Sequence, residues 1–73
     1  MIEVGTTFMA RGQEYRIVHK NEEKNRISIE PIGKITDILQ LNEKLEIDNL
    51  FYKVMYIKEK QKRVALDLIR KVG

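Results

Sequence analysis

The chain has 73 residues, 42% of them hydrophobic and 34% charged, with a formal net charge of +3. That length allows one domain with a thin core, and the mixture is globular and too rich in Ile, Leu and Val for disorder. Cysteine is absent, which removes disulfide staples and thiolate metal sites, and no run approaches the ~20 apolar residues of a membrane span.

Met1-Ile2-Glu3-Val4-Gly5 has neither a basic leader nor an apolar run, so no signal peptide and a cytoplasmic location are expected. Residues 6–10 read as a first strand, closed by a turn at Arg11-Gly12-Gln13 where glycine permits positive φ. Residues 14–20 read as a second strand. Strict alternation puts Tyr15, Ile17 and His19 on one face and Arg16, Val18 and Lys20 on the other. The polar stretch 21–25 makes a hairpin loop. Residues 26–32 form a third strand, with Ile27 and Ile29 inward and Arg26, Ser28 and Glu30 outward. Pro31 lacks a backbone donor, so this strand should end at an edge or leave the ladder. A linker, 35–38, has room for one short helical turn. The pattern then restarts with strand 43–47, turn Asp48-Asn49, strand 51–58, hairpin loop 59–62 and strand 63–69, the last with Val64, Leu66 and Leu68 inward. Segments 38–45 and 64–72 also carry helical spacing and good helix formers, and local propensity leaves strand and helix open there.

Slid along itself by 37 positions, the chain superposes 2–34 on 39–71. Such an offset marks a repeat. Tyr15 falls on Tyr52, Glu22 on Glu59, Arg26 on Arg63, Ile32 on Ile69 and Lys34 on Lys71. Phe8 meets Leu45, Ile17 meets Val54, Ile27 meets Val64, Ile29 meets Leu66 and Glu30 meets Asp67. Gly5 and Gly12 meet Asn42 and Asn49, and asparagine is the next-best residue for a left-handed turn position. The duplication favours strand over helix in both ambiguous segments. It implies a single domain over 1–73, made of repeat one (2–34), the linker (35–38) and repeat two (39–71). Two three-stranded meanders must each bury an apolar face. Packing them together as a small closed or nearly closed barrel with pseudo-twofold symmetry does so and removes exposed edges. The expected fold is therefore all-β. With the spacing Gly12-Gln13-Glu14-Tyr15-Arg16-Ile17, it resembles the SH3-like and Tudor-like barrels.

Charge is divided unevenly between the copies. Residues 1–37 carry six basic and six acidic groups; residues 38–73 carry eight and five, so the whole +3 lies in the second half. Catalysis is not expected from one His, one Ser and no Cys, because a triad needs a nucleophile, a base and an orienting group together. A lone His among scattered carboxylates has no metal-ligand spacing, and the glycines are isolated, so no metal, cofactor or small-molecule substrate is expected.

The hairpin Lys58-Glu59-Lys60-Gln61-Lys62-Arg63 has net charge +3, whereas the aligned Asn21-Glu22-Glu23-Lys24-Asn25-Arg26 has none. Lys58, Lys60, Lys62 and Arg63 can follow a phosphate backbone, and Lys53, Arg70 and Lys71 can extend the basic surface. Tyr56, aligned with His19, is the leading residue for stacking on unpaired bases; Tyr52 and Phe51 are further aromatic faces, although the duplication of Tyr15 as Tyr52 favours packing of both in the core or at its rim. Against this stands the plainer reading of a solvated hairpin that discourages edge pairing. The expected function is DNA or RNA binding, mainly through phosphates. The alternative is protein interaction or homodimerisation. Phe51, Met55 and Ile57 make one face of strand 51–58 apolar while Tyr52, Val54 and Tyr56 make the other so. The first of these faces calls for cover from the linker or from a partner.

Overall fold

Left-handed residues set where the chain turns, and among the described residues all but Gly33 come in pairs 37 apart. Gly5 and Asn42 have φ of 96° and 70°, Arg11 and Asp48 55° and 51°, Gly12 and Asn49 77° and 64°, and Asn25 and Lys62 52° and 53°. Consecutive positive φ values at Arg11-Gly12 and at Asp48-Asn49 give two-residue hairpin turns whose twist matches that of the flanking strands. Gly12 is the residue type that takes such a φ without strain, and Asn49 does the same work in the second copy.

The computed structural model describes residues 3–33 and 39–71, with 70 and 71 described for their backbone alone. The strands are β1 (Thr7–Ala10), β2 (Gln13–Asn21), β3 (Arg26–Pro31), β4 (Lys44–Ile47), β5 (Leu50–Lys58) and β6 (Arg63–Lys71), with a 3-10 turn at Glu59–Gln61. They form one antiparallel sheet in the order β1-β2-β3-β6-β5-β4, curled into a nearly closed barrel. The all-β, small-barrel expectation holds, and the arrangement is consistent with a small SH3-like barrel. The two outermost strands, β1 and β4, have only four residues each, which limits the unpaired edge. No helix among the described residues is long and apolar enough to cross a membrane.

Segment 64–71 is strand, not helix, and 39–43 is a turn leading into β4. Pairing on both sides of β6 outweighs its helical propensity. The helical turn expected in the linker falls almost wholly outside the described residues. Leu39, at its end, is 2% exposed and belongs to the core, while Leu41 is exposed, so neither covers the outer face of β5.

The two halves share one register. Phe8↔Tyr15 recurs as Leu45↔Tyr52, Ile17↔Ile29 as Val54↔Leu66, and His19↔Ser28 as Tyr56↔Ala65. Loop hydrogen bonds recur as well. The Gly5 N–H donates to the Ile17 carbonyl at 2.7 Å, and the Asn42 N–H donates to that of Val54 at 2.8 Å. The core is drawn from matched positions: Tyr15 and Tyr52, Ile17 and Val54, Ile27 and Val64, Ile29 and Leu66 are all buried.

β2 and β5 each carry a bulge at the matching place, between Ile17 and His19 and between Val54 and Tyr56. The extra residue, Val18 or Met55, reverses the alternation beyond it. This corrects the expected faces. His19 and Tyr56 leave the core side and stand on the outer face, exposed. Lys20 and Ile57 turn to the core side instead. Ile57 packs against the core, and Lys20 brings its ammonium within 3.3 Å of Glu22. The expected outer patch of Phe51, Met55 and Ile57 therefore loses Ile57.

β3 and β6 join the halves. Their register pairs Arg26 with Asp67, Ile27 with Leu66, Ser28 with Ala65 and Ile29 with Val64. Ser28 and Ala65 are themselves 37 apart, so the pseudo-twofold axis passes between them. Arg26 donates from Nε and Nη2 to Asp67 at 2.6 and 3.1 Å. Its counterpart Arg63 donates from the same two atoms to Glu30 at 3.0 and 2.7 Å. Each arginine thus holds the other repeat's carboxylate. The hydrogen bonds to Asp67, and then its charge, hold the Arg26 pKa above its ordinary value. Pro31 breaks the symmetry at one point. The Leu68 N–H donates to the Asn25 carbonyl at 2.8 Å, and the matching position in repeat one is Pro31, which has no N–H. Pro31 accordingly closes β3, as expected. The buried Gln13 holds the chain beyond it, donating from Nε2 to the Ile32 carbonyl at 3.0 Å.

Burial, reinforced by Asp48, raises the pKa of the Tyr52 phenol above its ordinary value. The unfolded chain therefore releases this proton first, and stability present below about pH 10 falls as pH rises beyond it. Tyr52→Phe should flatten that loss in alkaline urea-unfolding curves; an unchanged alkaline slope would show that Tyr52 is not its source.

Candidate nucleic-acid interface

The outer face of the four central strands carries the candidate site. Ser28 and Ala65 have short side chains and sit side by side on the pseudo-twofold axis. Longer side chains surround them: Arg26 and Arg63, His19 and Tyr56, and Lys58. A floor of small residues between tall ones leaves a groove of about 330 Å³. The bulges build its flanks, because without the extra residues at Val18 and Met55 the two rings would point at the core.

The residues expected to bind nucleic acid separate into groups. Tyr56 is 56% exposed, and the Lys58 Nζ lies 5.8 Å from its ring centre, within cation–π range. Lys60 and Lys62 are exposed at the tip of the β5–β6 hairpin. Among the described residues none of Lys58, Lys60 and Lys62 forms an ion pair. Arg63 differs: it is committed to Glu30 through two nitrogens and is not a free cation of the hairpin. Lys53 is half-buried beside Asp67 on β6, away from the hairpin. Arg70 and Lys71 extend the backbone of β6 opposite Phe51 and Leu50, and their side chains lie outside the described residues. Tyr52, at 4% exposed, is a core residue and offers no stacking face; Phe51 is partly exposed on the far part of β5.

Sequence reasoning left out Arg26 and placed His19 and Ser28 on opposite faces of different strands. The bulge makes them cross-strand neighbours on the same face. A signal was present in the pairs Ile17-Val18 and Val54-Met55, two apolar residues in succession inside alternating strands. No cluster of metal-ligating side chains occurs among the described residues.

The basic hairpin also gives up local stability. Its last loop residue, Lys62, is left-handed with φ 53°, and the first hairpin fills the same conformation with Asn25. A lysine there is strained where asparagine is tolerated, by ~1 kcal/mol. Lys62→Asn should therefore stabilise the fold by about that amount in thermal unfolding while removing a surface cation. No gain in stability would show the loop to be unstrained. Comparison with protein-family models, curated proteins and solved structures finds no match to this chain.

Proposed function

We propose that this protein binds nucleic acid, in the main by phosphate contacts from the β5–β6 hairpin. One observation carries the reading. Two hairpins of the same register differ in charge, and the charged one keeps a lysine at a left-handed position that its twin gives to asparagine. Folding alone does not ask for Lys62 there. Lys58, Lys60 and Lys62 supply unpaired cations, and each phosphate they neutralise releases counterions. Tyr56 adds an exposed ring for stacking. Arg63 contributes its guanidinium from within the Glu30 pair, and Lys53, Arg70 and Lys71 lie further along the basic half. A non-enzymatic role in the cytoplasm accords with this reading.

Binding to a labelled oligonucleotide should weaken steeply between about 50 and about 200 mM salt. Replacing Lys58, Lys60 and Lys62 by Gln should lower the slope of log affinity on log salt by about 0.7–0.9 per lysine that meets a phosphate. No binding at the lower salt would refute the proposal; an unchanged slope in the triple variant would refute the site.

A second reading is favoured by the outer face of repeat two. Met55 and Ile69 are 43% and 45% exposed, and Phe51 lines a shallow depression with Ile69, Lys44 and Glu46. This face fits a protein partner or a second copy of the chain. Sedimentation would then show a dimer that Met55→Glu dissociates; a wild-type monomer unaffected by that change would count against self-association.

A further inference from the structure

The groove on the pseudo-twofold axis has features that a phosphate-tracking hairpin does not need. Its two arginines turn their Nε–Nη2 edges to Asp67 and Glu30, which fixes the guanidinium planes. The Nη1 of each makes no hydrogen bond to a described residue, so two oriented donors are left over. Tyr56 and His19, matched by the repeat, stand on β5 and β2 with Ala65 and Ser28 between them. Three strand spacings separate their backbones, roughly 14 Å. Two flat rings thus flank a floor that carries a hydroxyl, with cations at hand. The volume, about 330 Å³, lies at the small end of the roughly 300–1,000 Å³ typical of ligand pockets.

Symmetry is broken in one direction. On the Tyr56 side the register partners are Lys58, in no ion pair, and Arg63, held by Glu30; in repeat one the matching positions are Asn21 and Arg26, held by Asp67, so the Tyr56 side has one cation more. The phosphate therefore belongs on the Tyr56 side. A duplex hides its base faces within its own stack, whereas an unpaired base offers a face to an aromatic ring and an edge to polar side chains.

Building on the nucleic-acid reading above, we infer that this groove holds one unpaired nucleotide, and that the preferred ligand is a single strand. The base lies on Tyr56, its phosphate meets Lys58 and the Arg63 Nη1, and Ser28 and His19 face the base edge. The carboxylates Glu30 and Asp67 act as positioning residues, since they orient the arginines.

Competition binding of oligothymidylate against a hairpin duplex with the same number of phosphates, at low salt, separates this inference from the broader reading. The single strand should win by about tenfold, the size expected of one well-stacked base. Tyr56→Ala should bring the ratio close to one, and Ala65→Gln, which fills the floor, should do likewise. Lys60→Gln should weaken both ligands and leave the ratio in place. Tyr56→Ala decides the matter, because it alters an exposed side chain and spares the core. Equal binding of both ligands by the wild type, or a ratio that survives Tyr56→Ala, overturns the groove and leaves the phosphate contacts standing. Failure to bind either ligand overturns both.

Discussion

Everything in this barrel hangs on the ladder between β3 and β6. Among the described residues it is the one strand pairing that joins the two halves, and its register puts Ser28 against Ala65 on the pseudo-twofold axis. Beneath the ladder Ile27, Ile29, Val64 and Leu66 enter the core, with Ile29 and Leu66 fully buried. Above it Arg26 reaches Asp67 and Arg63 reaches Glu30. The arrangement is that of an isologous interface, in which the same patch serves both partners, here within one chain. Sliding the ladder by one residue would expose the isoleucines and bury the arginines. Apolar burial below and charge pairing above thus select the same register. The burial supplies the larger share of stability, since the ion pairs are partly exposed and such pairs contribute little.

Repetition of the backbone makes the differences between the copies informative. Both halves have the same left-handed turn positions and a bulge at the same place, after Ile17 and after Val54. Some matched side chains that are alike, as Tyr15 and Tyr52, build the core, and others, as Arg26 and Arg63, hold the ladder from above. Several that differ sit on the outer face or in a loop: His19 against Tyr56, Asn21 against Lys58, Asn25 against Lys62. Register or turn conformation is the same at both members of each pair. The charged and aromatic members gather in repeat two, beside the groove on the axis.

The bulges connect the two levels. A strand that alternated strictly would send Tyr56 and His19 inward, and the outer face would lack both rings. One extra residue in β2 and one in β5 turn them outward and send Ile57 and Lys20 to the core side. Local irregularity in the ladder is therefore what converts a packing strand into the flank of a groove. It also explains why the outer apolar patch is smaller than alternation implied.

Much of the fold was legible in the sequence because it rests on local chemistry. Alternating apolar residues named the core, Gly5, Gly12, Asn42 and Asn49 named the turns, and Pro31 named the end of a strand. The offset of 37 implied matched halves, and the registers repeat at that offset. The cationic hairpin was likewise visible, as a run of charge at one turn. Tertiary structure alone decided the rest. Bulges depend on which residue across the ladder accepts which hydrogen bond, and no single strand carries that information. Arg63 read as a free cation and Arg26 only as an outward strand residue until pairing set them against Glu30 and Asp67, which lie 33 and 41 residues away in the chain. The groove exists only because four strands bring two small residues together between large ones. Its walls are separated along the chain and meet through the register of β3 and β6.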